Sequence, residues 1–159
     1  ITADPVFNFG IGYDFKASKN TWINTRGLSV TGLLGKTLSF NTELYETQAV
    51  FASWPTDFIN ATGVVPGQGS VKPFKETGFD FFNSNGYVSY SPSRFVDITM
   101  GYGKNFIGEG YRSLLLSDAS FNYPYLKLTG NFKSVKYTVL YNQFIDRSLK
   151  LSPEFGYDS

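Results

Sequence analysis

The 159 residues carry 14 basic and 13 acidic side chains, a net charge of +1, and neither cysteine nor histidine. That balance offers no basic stripe for nucleic acid, and it removes disulfides, zinc–thiolate sites, thiol nucleophiles and the commonest general base. Charged residues are only 17% of the chain, against about 25% in a typical soluble protein, while aromatics reach 18%. No run approaches the roughly eighteen apolar residues that a membrane-spanning helix needs.

The opening Ile-Thr-Ala-Asp-Pro is no signal peptide, and the chain is expected to be processed or a piece of something longer. Its first predicted strand runs from Val6 to Phe15. There Phe7, Phe9, Ile11, Tyr13 and Phe15 alternate with Asn8, Gly10, Gly12 and Asp14. Successive strand side chains point to opposite faces, so this segment has one greasy and one wet side. A polar turn, Lys16 to Asn20, leads to a second strand over Thr21–Leu34, whose apolar face (Trp22, Leu28, Val30) is interrupted by Asn24 and Arg26. After Gly35-Lys36-Thr37, Leu38, Phe40, Thr42 and Leu44 alternate with Ser39, Asn41, Glu43 and Tyr45 in a third strand.

From Gln48 to Thr77 the alternation stops. Residues 49–60 suit one or two short helical turns, and Gly63-Val64-Val65-Pro66-Gly67-Gln68-Gly69 is a breaker cluster expected to hold no regular structure. Strand character resumes over Gly78–Ser91, turns at Ser91-Pro92-Ser93-Arg94, and returns through Val96, Ile98, Met100 and Tyr102. A second long loop covers 105–123. The last hairpin pairs Pro124–Phe132 with Val135–Ile145 across Lys133-Ser134.

The predicted class is all-β: an antiparallel transmembrane β-barrel, with this chain supplying about seven strands of a larger barrel. Strands near ten residues can cross a bilayer when tilted. Single-chain bacterial barrels take an even number from eight upward, and two bare edges in lipid would leave backbone groups unsatisfied. Residues 1–159 are thus expected to be part of one outer-membrane barrel domain, with 48–77 and 105–123 as long loops folded inward.

Several motifs resemble chemistry and fail on context. Gly32-Leu33-Leu34-Gly35-Lys36-Thr37 looks like a phosphate loop, but Val30 stands where its first glycine belongs, and strands flank it. Gly10-Ile11-Gly12 and Gly101-Tyr102-Gly103 open no helix, and suit bends or lumen space instead. The acids Glu43, Glu46, Asp57, Asp80, Asp97, Glu109 and Asp118 are isolated on strands and loops, whereas glycosidic chemistry needs two of them about 5 to 9.5 Å apart. Asn60-Ala61-Thr62 matches a glycosylation sequon of a kind common by chance.

The loops over 64–75 and 104–118 mix rigid, apolar and charged residues. One reading folds both inward to narrow a pore, with Lys104 and Arg112 pairing acids of the lumen. The other makes the second loop a glycan- or partner-contacting surface carried by Lys104, Asn105, Glu109, Tyr111, Arg112 and Asp118.

Tyr45-Glu46-Thr47-Gln48-Ala49, Val64-Val65-Pro66-Gly67-Gln68-Gly69, the stretch from Gly101 to Asp118, and Phe121-Asn122-Tyr123-Pro124 together resemble the Wzi-like, capsule-assembly-like outer-membrane barrels of Bacteroidetes. That group includes gliding-motility proteins of the RemB type. The resemblance covers most of the chain and implies a large barrel in the outer membrane of a Gram-negative bacterium, in contact with its lipid. It further implies association with surface polysaccharide, or with other outer-membrane proteins of a gliding or secretion complex. It transfers no individual sugar-binding residue. The expected function is non-enzymatic and without cofactors, with a pore for small solutes as the alternative.

Overall fold

In the computed structural model, residues 1–117 and 120–144 are described. Seven long strands form one antiparallel meander: β1 (Thr2–Asp14), β2 (Lys19–Leu34), β3 (Leu38–Val50), β7 (Gly78–Ser93), β8 (Val96–Gly103), β9 (Tyr123–Phe132) and β10 (Val135–Asn142). Each pairs with the next along the chain. The antiparallel all-β expectation holds. Among the described residues β1 and β10 do not pair with each other, so the sheet is an open meander. No described helix is long and apolar enough to cross a membrane.

The elements between β3 and β7 depart from expectation. The strand persists to Val50, and α1 is a ten-residue helix over Ser53–Thr62 rather than a turn or two. The breaker cluster is not irregular: β4 (Val64–Val65) and β5 (Gly69–Ser70) pair as a minimal hairpin, with Gly67 at φ 70° and Gly69 at φ 145°. Glycine there supplies the positive φ that a tight reversal requires, so the same residues that break a strand make its turn. β6 (Lys72–Phe74) then pairs with Gly78–Asp80 at the start of β7.

The reversal expected at 91–94 also shifts. β7 runs on to Ser93 with a bulge between Tyr90 and Ser93, and the turn falls at Arg94 and Phe95. Pro92 has no amide hydrogen to offer a ladder, and a bulge asks for none. Ser91 still donates its amide to Thr37 at 2.7 Å. In the last hairpin, Ile145 lies outside the described residues.

Cross-strand register sorts the side chains into two faces. The face covered by the segment after β3, here called inner, carries Asn8, Thr25, Asn41, Asn85, Thr99 and Thr129 among others. Its polar groups satisfy one another across strands. Thr25 and Thr47 hydroxyls are 2.9 Å apart, Ser89 and Thr99 likewise, and Ser91 donates to Asp97 at 2.6 Å.

The outer face is apolar across all seven strands, from Phe7, Phe9 and Ile11 through Leu28, Leu44, Val88 and Met100 to Leu128 and Tyr141, each of them exposed. Its polar break is Asn24, Arg26, Glu46, Gln48 and Asp80, neighbours in the register near the end that carries the long loops. Arg26 and Glu46 pair there at 3.3 Å. The apolar stretch is staggered. Ile11 of β1 stands level with Trp22, whereas Val139 of β10, traced through Leu128, Ile98, Tyr90 and Leu38, stands level with Leu34, twelve positions farther along β2.

Candidate binding cleft

The two long connections lie at one end of the sheet, and short turns join β2–β3, β7–β8 and β9–β10 at the other. The first long connection folds over the inner face. Ile59 of α1, 1% exposed, and Val65 of β4 pack against Ala49, Phe79 and Phe81, with Ile23, Phe51 and Val71 around them. Here the inner positions of β2, β3 and β7 switch from polar to apolar, and that switch seats the helix. Phe51 stacks near both Phe79 and Phe81, with ring centroids 6.2 and 6.3 Å apart.

The carboxylate of Asp14 holds the start of α1. It accepts the Ser53 amide at 2.8 Å and the Ser53 hydroxyl at 2.5 Å, and also the amides of Lys16 and Ala17. The hydrogen bonds from the Ser53 hydroxyl and amide, in that order, lower its pKa from 3.8 to about 2. No side chain of the helix's own N-cap, Ala52, does this work.

Below the packed segment a cleft of about 850 Å³ remains, within the range of small-ligand sites. Its walls are phenols and amides: Tyr45, Tyr87 and Tyr125, with Asn8, Asn41 and Asn85 between them. Among the described residues no aspartate or glutamate lines it, and Lys104 is the one cation that does. Two rings are set by glycines on the neighbouring strand. A Cβ on Gly27 would collide with the Leu44 carbonyl and come within 2.6 Å of the Tyr45 ring, and one on Gly101 would lie 2.8 Å from the Tyr125 hydroxyl. Tyr45 also donates to Glu43 at 2.8 Å.

A notch opens in the wall beside this cleft. On its β8 side, β7 pairs with β8 from Gly86 onward and with β6 over Gly78–Asp80, leaving Phe81–Asn85 without a strand partner. Side chains bridge the gap. Asn122 donates to the Ser84 carbonyl at 2.7 Å and to Asn83 at 3.0 Å, and Asn83 donates to Gln68 at 2.7 Å.

Of the six residues expected to form a contact surface, Lys104 alone lines the cleft, donating to the Gly67 carbonyl at 2.9 Å. Asn105 is buried. Its amide donates to the Tyr123 hydroxyl at 2.9 Å, and its side-chain nitrogen has no partner. Glu109, Tyr111 and Arg112 are exposed on a loop outside the cleft, Tyr111 at 92%, with Arg112 over its ring. Asp118 lies outside the described residues. That loop is closed locally, Leu114 donating to the Ile107 carbonyl and Ile107 to the Ser113 hydroxyl.

Loop composition therefore points to an exposed surface apart from the cleft, and the cleft is built by strands. The signal was present in the wet positions of the alternation, where tyrosine and asparagine recur rather than lysine and glutamate. In comparisons with known proteins, the chain matches no family model, no curated protein and no solved structure.

Proposed function

We propose that this chain is a length of wall from an outer-membrane β-barrel and that it holds surface polysaccharide, without chemical turnover, in the cleft on its inner face. The observation that carries the reading is the division of the sheet into an outer face that is apolar apart from the patch around Arg26 and Glu46, and an amide- and phenol-lined inner one. A lipid slab meets tilted strands at a register that shifts from one to the next, and the twelve-position stagger of the apolar stretch agrees with that. Tyrosine faces stack on the C–H faces of sugars, and amides both donate to and accept from hydroxyls. A segment packed against the inner face weighs against an open solute pore.

Two measurements test it. In a Trp22→Phe, Trp54→Phe chain reconstituted in acyl-brominated lipid, Met100→Trp on the outer face is quenched and Lys127→Trp on the inner face is not. Equal emission from both sinks the wall. Surface polysaccharide from the producing cell is retained by the reconstituted protein, and Tyr45→Ala or Tyr125→Ala weakens retention about tenfold, or roughly 1.4 kcal/mol. Absence of retention shifts the reading to contact with other outer-membrane proteins through the exposed loop around Tyr111.

A further inference from the structure

The notch between β7 and the ends of β8 and β9 is more than a frayed edge. A second cavity of about 570 Å³ occupies it, and Glu46, Asp80, Phe82 and Ser84 place its mouth on the outer face. Gln68, Phe81, Asn83, Tyr102 and Asn122 line both this cavity and the inner cleft, so the two meet through the wall. The height of the mouth is fixed by register. Phe82 stands level with Glu46 and Arg26, the ion pair at the upper limit of the apolar stretch, whereas Ser84 stands level with Leu44 and Leu28, within it. An ion pair beside aromatic and aliphatic side chains is the composition of a headgroup layer.

We infer that this notch is a side entrance through which a membrane amphiphile with an uncharged, hydroxyl-rich head places that head in the inner cleft while its acyl chain stays in lipid. The inference rests on the membrane-wall reading given above. Three features commit it to this occupant. The mouth joins an apolar surface to a polar cavity at the level where an amphiphile changes character. The residues shared by the two cavities are neutral amides, a phenol and a phenyl ring. The charged Glu46, Lys72 and Asp80 of the outer cavity fall outside that shared set, and among the described residues no carboxylate lines the cleft beyond. Finally, the gap is closed by side-chain hydrogen bonds from Asn122 and Asn83 rather than by a ladder, so ligand hydroxyls can exchange for them without unzipping a strand.

The chain has no cysteine, which lets the mouth be blocked after folding. Ser84→Cys, partly exposed and outside the inner cleft, is reconstituted in bilayers and modified with a bulky maleimide; Phe82→Cys is the second variant. The probes are a dodecyl maltoside and a chainless maltoside, each bearing a photoreactive group on the sugar, with labelled peptides mapped by mass spectrometry. The dodecyl probe is expected to label the Tyr45 and Tyr125 peptides and to lose at least tenfold of that labelling when the mouth is blocked. The chainless probe enters from the loop end and changes less than twofold. Dodecyl labelling that survives the block, or equal loss with both probes, overturns the side entrance. Cleft labelling by the chainless probe alone also overturns it, leaving the glycan reading standing. Labelling of the cleft by neither probe overturns the glycan reading, and the entrance with it.

Discussion

Asp14 at the end of β1 and Ser53 at the start of α1, 39 residues apart, are joined by two hydrogen bonds through one carboxylate oxygen. A helix leaves its first amides unsatisfied, and the usual remedy is a polar side chain just before it. Here the first strand of the sheet supplies the acceptor instead. Its negative charge also sits at the positive end of the helix dipole. The contact thereby sets where the inward segment lands.

That contact gives a pH dependence of definite sign. The folded-state pKa of Asp14 is lowered from 3.8 to about 2 by the Ser53 hydroxyl and amide, and the residue is the last of β1, on the inner face at the end of the sheet that carries the long loops. A depressed carboxylate contributes stability above its unfolded pKa and loses it as the folded value is crossed. The contribution is therefore complete above about pH 4 and lost as pH falls through about 2. Urea titrations from pH 2 to 6 are expected to show this acid-side loss in the native chain and less of it in Asp14→Asn. Parallel pH profiles would refute the assignment.

Ile59 is the largest fully buried side chain among the described residues. Ile59→Ala leaves a cavity under α1 and is expected to cost about 2–5 kcal/mol of local stability. Limited proteolysis reports it: the variant is cut within 51–77 at protease levels that spare the native chain, while the strand ladder persists by circular dichroism.

Gly27 is a close-approach glycine. A methyl group there meets the Leu44 backbone as well as the Tyr45 ring, and backbone in a paired strand has little room to yield. Gly27→Ala is expected to lower stability by about 1–3 kcal/mol and to displace Tyr45 from the cleft wall. Gly110→Ala, whose added carbon approaches nothing nearer than 3.6 Å, is the control, with a change below about 0.5 kcal/mol.

The outer face separates two solvents by free energy. Met100 is 65% exposed, so in water Met100→Arg changes stability by under about 0.5 kcal/mol. In the middle of a lipid slab the same substitution costs about 2–4 kcal/mol. Guanidinium unfolding from liposomes measures the difference directly, and the larger value is expected.

Tyr123, 2% exposed, gives its hydroxyl oxygen to the buried amide of Asn105. Tyr123→Phe strands that amide and is expected to cost about 1–3 kcal/mol. Asn105→Leu removes a side-chain nitrogen that already lacks a partner, so its cost is smaller. A thermal melt of the two variants ranks them, and the reverse order would show that the phenol, rather than the amide, is dispensable.

The strands were legible in sequence because period-two alternation reports a face, and a face is all a strand in a meander must declare. Phe7 to Phe15 and Leu38 to Leu44 needed nothing further. The helix was underread since its amphipathic stripe is weak and its cap comes from Asp14, far upstream. Pro66, Gly67 and Gly69 hid a hairpin of only two residues on each side, too short to show any period. The cleft was missed for a different reason. Loops such as 104–117 look functional because they are irregular, whereas Tyr45, Tyr87 and Tyr125 come from three separate strands and converge only through register.

The flank of β1 that no described strand pairs has a practical meaning. Thirteen residues of backbone lie along it, with Phe7, Phe9 and Ile11 beside them and no lysine in the strand to repel a visitor. Such an edge is a template for whatever extended chain comes near. β10 offers the matching flank at the opposite margin of the sheet. Isolated copies in plain buffer can thus add head to tail, each lending its last strand to the next one's first, and so grow into ribbons instead of remaining single.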